Sequence, residues 1–337
     1  MKAYELTSGK GVDSLRMVDR AEGPLGPHEV RVKLAAAALN YRDVMIAEGT
    51  YYSAGEVVVP LSDGVGRVVE TGSAVTRVKN GDRVILGFWP DWLDGPITPG
   101  KVARSFGAQL AGTLAEAVVA DEHALVIAPD SLSDREAATV ACAGLTAWNA
   151  LFARGALKPG ATVLLLGTGG VSLWALQLAL AARLRPIIIS SSDEKLARAK
   201  KMGAVATINY SATPEWQQEV RRLTDGVGVD LVIEVGGQGT MRRSVEATRM
   251  GGAVVVVGAR AGAAGDGVEP GALIGGAKTL AGIMVGSRAM LEDLVRFIDV
   301  AGVRPVIDSS FAFEQAGDAF RRVQAGAFGK VVIDITQ

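Results

Sequence analysis

The sequence predicts an α/β protein: a β-rich first part followed by a doubly wound parallel sheet. Three observations carry this prediction. Between Ala161 and Leu180 a short apolar run is followed by closely spaced glycines and then by apolar residues at helical spacing. From Lys158 onward, strand-like and helix-like patterns alternate. Before it, short runs of β-like pattern are separated by glycine and proline turns.

In chain order, strands are expected at 30–34, 65–71, 83–86 and 114–119, with a short helix at 40–47. Ser133 offers a helix cap with Glu136 three residues on, the spacing of a capping box, and a helix or helix pair follows as far as Phe152. Six strands are then expected at 163–166, 187–190, 207–209, 231–234, 253–257 and 280–285. Helices are expected between them at 171–182, 194–202, 214–224 and 241–250. The glycine-rich tract 259–276 reads as a surface loop. A helix at 291–300, an extended stretch to 313, a helix at 314–324 and a strand at 330–335 complete the chain. With the parallel sheet already full, this tail should return to the first part. The expected domains are therefore 1–130 with 286–337, and 131–285.

The glycine turn carries the first functional implication. Gly167 lets the chain turn sharply, and Gly169 removes a Cβ where a pyrophosphate must approach the backbone. Gly170, Val171 and Ser172 open the next helix, whose free N–H groups and positive dipole favour an anion. Ser172 stands where the pattern G-x-G-x-x-G has its third glycine, so strand and helix must accommodate a hydroxymethyl group. In its strand–turn–helix setting this pattern predicts dinucleotide binding, not just a tight turn.

Composition narrows the alternatives. Net charge is −1, and the short Lys/Arg clusters fall on predicted helices as solvated faces, so no basic stripe points to nucleic acid. No apolar run is long enough to span a membrane, and the N-terminus lacks the apolar core of a signal peptide. A single cysteine, Cys142, allows no intramolecular disulfide and fits a reducing, cytoplasmic setting. The expected partner is therefore a small molecule.

Several segments in order bear a family resemblance: 39–43 (Leu-Asn-Tyr-Arg-Asp), 60–66, 81–84, 143–148, the 167–172 turn, 195–203, 282–288 and 329–333 (Gly-Lys-Val-Val-Ile). Over nearly its whole length the chain resembles the medium-chain dehydrogenase/reductase superfamily, in its zinc-independent quinone oxidoreductase-like and enoyl reductase-like branch. The resemblance implies a GroES-like β-barrel, a Rossmann domain, and an active site in the cleft between them. It also implies a homodimer formed through the last Rossmann strand, a pairing that would cover an apolar edge.

Along that pattern the zinc-dependent members' ligand positions fall on Asn40, Ser62 and Cys142, a set that does not serve zinc. No metal is expected, and Cys142 is counted with the substrate pocket as a small packing residue. The position that favours NADH when acidic is Ser190, followed by Ser191. With Lys195 and Tyr210 at phosphate-contacting positions, the resemblance implies NADPH over NADH. Thr146 matches a position beside the nicotinamide. Val257, Gly258, Met284 and Val285 fall at the carboxyl ends of expected strands, where a ligand binds.

For catalysis the resemblance points to Asn40 as hydrogen-bond donor, or as cap of its own helix. It points to Tyr51 as proton donor, or as wall of a pocket with Tyr52, Phe88, Trp89 and Trp92. The function implied is NADPH-dependent, zinc-free reduction of an activated alkene or quinone. A zinc-free carbonyl reductase and a non-catalytic NADPH-binding protein stay open.

Overall fold

The computed structural model describes residues 1–53, 55–258 and 267–335. Strands β1 (Lys2–Thr7), β2 (Arg16–Asp19) and β3 (Glu29–Ala38) lead into helix α1 (Tyr41–Ala47). Strands β4 (Val57–Val58), β5 (Asp63–Thr71), β6 (Arg83–Leu86), β7 (Ala117–Asp121) and β8 (Leu125–Ile127) follow, then α2 (Asp134–Ala137) and α3 (Leu145–Trp148). The alternating part comprises β9 (Thr162–Leu166), α4 (Gly170–Ala181), β10 (Arg185–Ser190), α5 (Asp193–Lys201) and β11 (Ala206–Asn209). It continues through α6 (Trp216–Leu223), β12 (Val229–Glu234), α7 (Gln238–Ala247), β13 (Thr248–Val256), α8 (Pro270–Ile274) and β14 (Thr279–Gly282). Helix α9 (Arg288–Ala301), β15 (Ile307–Ala312), α10 (Ala316–Gln324) and β16 (Lys330–Asp334) close the chain.

The chain divides into two compact units, Met1–Leu145 with Gly286–Gln337, and Thr146–Val285. The first boundary thus lies beyond residue 130, where the sequence reading placed it. The reason is local: α2 packs against β3, β5, β15 and β16 of the first unit. The capping box at Ser133 is present, with the Ser133 amide on Glu136 Oε2 at 2.8 Å. Beyond α2 the expected helix winds into wide π-type turns at Val140–Gly144 and Asn149–Arg154.

In the first unit the main sheet runs β15-β16-β3-β5-β6-β8, with β7 also on β3. Val30, Val32 and Leu34 of β3 alternate into the core, and Phe320 and Ile333 meet the same cluster. β16 lies antiparallel on β3, pairing Val332 with Ala38, and parallel to β15. A small sheet, β2-β1-β4, is separate in its strand pairing but sends Tyr4, Leu6 and Val58 into the same core. Gly66 on β5 faces β3 so closely that a Cβ there would lie 2.1 Å from the Lys33 carbonyl oxygen. The strand expected at 114–119 begins three residues later. The Leu114 carbonyl instead accepts from the Tyr4 amide of β1, which ties that residue to another sheet.

In the second unit six parallel strands run β11-β10-β9-β12-β13-β14, the doubly wound order 3-2-1-4-5-6. Residues 163–166 of β9 and 231–234 of β12 are buried throughout, as strands covered on both faces must be. β14 ends at Gly282, short of the expected 285, because its neighbour β13 ends opposite it at Val256. As a result, Met284 and Val285 lie beyond the sheet. Of the tract read as loop, 259–266 lie outside the described residues, and 270–274 form α8 with Pro270 in its first turn, where a missing N–H does no harm. β14 is one of the two edge strands, and Leu280 on it is exposed. Among the described residues no helix is long and apolar enough to cross a membrane.

Candidate active site

The glycine turn of the second unit joins β9 to α4. Gly167 has φ +74°, a left-handed conformation that glycine adopts without strain. Gly169 has an ordinary φ of −83°, and a Cβ built there would meet nothing within 4 Å. The fold itself therefore does not require glycine at 169, and the open space lies where Gly170, Val171 and Ser172 present the first amides of α4. Ser172 answers the question of the missing third glycine. Its buried hydroxyl donates to the Leu166 carbonyl at 2.6 Å and ties helix to strand.

At the carboxyl end of β10, Ser190 is buried and its carbonyl accepts from the Tyr210 amide at 3.1 Å, bringing the start of the loop after β11 alongside. Ser191 and Tyr210 are exposed. Ser192 caps α5, accepting from the Lys195 amide. Ser190, Ser191, Lys195 and Tyr210 thus share one end of the sheet, with Asp193 turned aside onto Asn209 at 2.8 Å. Val257 and Gly258 leave β13 at the same end, the Val257 amide donating to Glu234 O. Thr146 is buried and Met284 exposed. Val285 has φ +54°, a strained conformation for a β-branched residue, and its carbonyl is held by Asn149 Nδ2 at 2.8 Å.

The first unit contains a buried polar cluster at the start of α1. The Asn40 amide donates to Asp43 Oδ2 at 2.7 Å, the Asp43 half of a capping box. The Asn40 side chain is engaged elsewhere. Its Oδ1 accepts from Lys330 Nζ at 2.6 Å, and its Nδ2 donates to Ser62 Oγ at 3.4 Å. Ser62 donates to Asp63 Oδ1 at 2.8 Å, and the Cys142 amide donates to Asp63 Oδ2 at 3.3 Å. Lys330 Nζ also donates to the Leu39 carbonyl at 2.7 Å and stands 3.7 Å from Asp63 Oδ2. Ser62, Asp63 and Lys330 are buried, whereas Asn40 keeps partial exposure. Burial pushes the Asp43 carboxyl up to about 6, and nearby Asp63 adds to this; Arg42, the Asn40 amide and Lys330 oppose it.

Tyr51 packs against the core of this unit with the Arg42 guanidinium 5.1 Å from its ring centroid. Burial raises its pKa against the pull of Arg42, and Cys142 and Asp43 add to the rise, so the phenol keeps its proton. Arg42 also lies 4.7 Å from the Phe88 ring and donates to Phe106 O and Ser105 Oγ. Of the other aromatic residues, Phe88, Trp89 and Trp92 are buried, with Phe88 and Trp89 edge to face at 4.7 Å. Tyr52, by contrast, is 74% exposed.

Comparison with known proteins sets this geometry in a family. Residues 26–130 match the model of the alcohol dehydrogenase GroES-like domain, and residues 170–300 match that of zinc-binding dehydrogenase. A zinc-type alcohol dehydrogenase-like protein of Schizosaccharomyces pombe is 42% identical over 321 residues, covering 92% of this chain and 92% of that protein. The chain belongs to the medium-chain dehydrogenase/reductase superfamily. Its first unit is the GroES-like domain of that superfamily and its second the Rossmann domain. A solved NAD-dependent alcohol dehydrogenase is similar over the full length of both chains, with TM-score 0.90 and 31% identity. A quinone oxidoreductase of Pseudomonas syringae pv. tomato is similar over 99% of each chain, with TM-score 0.84 and 28% identity. As a member of the superfamily, this protein is an oxidoreductase.

The superfamily raises the question of zinc. A catalytic zinc takes three N, S or O side chains and leaves one position open. The set here is Asn40, Ser62 and Cys142, and burial and nearby Asp63 push the Cys142 thiol up, away from the thiolate a metal needs. A cation, Lys330 Nζ, already rests on the Asn40 oxygen. These side chains do not fit zinc. Sequence reasoning passed over Lys330 within Gly-Lys-Val-Val-Ile; its one local signal is a lysine opening a strand whose next three residues are apolar.

Proposed function

We propose that this superfamily member reduces an activated alkene or a quinone with NADPH, without a catalytic metal. The observation that carries this reading is the buried Lys330–Asn40–Ser62–Asp63 cluster, which presents a hydrogen-bond donor where zinc-dependent relatives would need metal ligands. An acceptor oxygen that gains negative charge can be held by the Asn40 Nδ2–H, and such a donor commonly contributes about 3–4 kcal/mol. Tyr51, kept protonated, is the proton source for carbon. The open turn at Gly167–Ser172 suits a pyrophosphate, and Ser190, Ser191, Lys195 and Tyr210 suit a ribose 2′-phosphate because their side chains can donate to it. Thr146, Val257, Gly258, Met284 and Val285 would hold the nicotinamide end. The bound nicotinamide supplies the hydride. Pairing of β14 with its counterpart would make the functional form a homodimer.

The test is turnover of a panel of quinones, enones, aldehydes and ketones with NADPH and with NADH, with and without chelator. The expected result is NADPH oxidation by enones or quinones that a chelator leaves unchanged. Turnover confined to aldehydes and ketones would instead identify a carbonyl reductase, and tight NADPH binding with no turnover a binding protein. For the cofactor, Lys195→Ala should weaken NADPH by about ten-fold, or 1–2 kcal/mol, and leave NADH almost unaffected in a binding titration. Equal losses for both would remove Lys195 from the 2′-phosphate site.

A further inference from the structure

We propose that Lys330 is a positioning residue that fixes the orientation of the Asn40 amide, so that its N–H faces the acceptor. This rests on the reading of Asn40 as the donor. A carboxamide can sit either way round, with oxygen and nitrogen exchanged, and only its partners decide which. An ammonium has donors and no acceptor, so at 2.6 Å from Asn40 it can be met only by the oxygen. The opposite orientation would set an NH2 group against the ammonium. Lys330 is itself held, 3% exposed, by the Leu39 carbonyl at 2.7 Å and by Asp63 at 3.7 Å.

Ser62 closes the other side. Its hydrogen goes to Asp63 Oδ1, so its oxygen faces Asn40 as an acceptor and takes one Nδ2 hydrogen across 3.4 Å. Two clamps therefore select the same orientation, and the second Nδ2 hydrogen is used by neither of them, on a residue that is itself partly exposed. Without the ammonium only the long 3.4 Å contact to Ser62 distinguishes the two orientations. The contact also polarises the amide, which strengthens the remaining N–H as a donor.

The experiment is a double-mutant cycle on the full-length protein with two readouts. Lys330→Met should lower kcat by about ten-fold or more, with the Kd for NADPH unchanged, and should have no further effect on kcat in an Asn40→Ala background. Independently of activity, the side-chain NH2 signal of Asn40, assigned by its loss in Asn40→Ala, should move or broaden in Lys330→Met in ¹⁵N–¹H spectra. Losses that multiply in the double variant, or an Asn40 signal that does not move, would overturn the proposal. If the wild type turns over nothing in the panel, the functional reading falls, and the amide signal alone still decides whether Lys330 positions Asn40. Should Lys330→Met not fold, the double variant Lys330→Met/Asp63→Asn, which removes both members of the buried pair together, carries the same comparison with the wild type.

Discussion

Tyr51→Phe should lower enone reduction by about 10²-fold or more while NADPH still binds normally. The variant keeps the ring, and with it the packing on the first unit's core and the Arg42 guanidinium 5.1 Å from the centroid. Only the hydroxyl is lost. Burial holds that hydroxyl in its neutral form, so at neutral pH it has a proton to give. An alkene needs that proton on carbon, where transfer from water is slow. A quinone takes protons on its oxygens, so its reduction should fall much less. Steady-state rates of one variant on both substrate types therefore separate an acid from a pocket wall. Enone turnover at the wild-type rate would leave Tyr51 as a wall.

Asp63→Ala should destabilise the protein by about 3–5 kcal/mol, the usual consequence of removing one member of a buried ion pair. Asp63 is fully buried and accepts from Ser62 and from the Cys142 amide, with the equally buried Lys330 ammonium 3.7 Å away. Its loss leaves Lys330 with two neutral acceptors and without its paired carboxylate, and leaves the Cys142 amide without its acceptor. Equilibrium unfolding in urea measures the change. A loss below about 1 kcal/mol, the range of an exposed pair, would mean that the cluster is wetter than its burial indicates.

Much of this architecture was legible because its signals are local. The β9–turn–α4 unit shows in twenty consecutive residues, since a strand buried on both faces must be apolar and the turn must contain glycine. The short strands of the first unit were harder to read. β2 is Arg-Met-Val-Asp and mostly exposed, and β15 has Ser309 and Ser310 at its centre, so neither shows a two-residue period. Asn40 was found because it opens a helix at a position where the family it resembles keeps an asparagine. What holds its side chain was not found, because Lys330 lies 290 residues away and sequence spacing does not reveal such a contact.

That separation also has a consequence in time. A ribosome adds about 5–20 residues per second, so β16 emerges roughly 15 to 60 seconds after β3, the strand it must join. Meanwhile the Rossmann unit, continuous from Thr146 to Val285, has every residue it needs. The first unit does not, although its synthesis began earlier. Residues 36–38 of β3 wait with one flank unpaired, open to any strand that comes near, and Asp43 and Asp63 wait without their ammonium. The domain begun first is finished last, and the nascent chain is most exposed to mispairing in that interval.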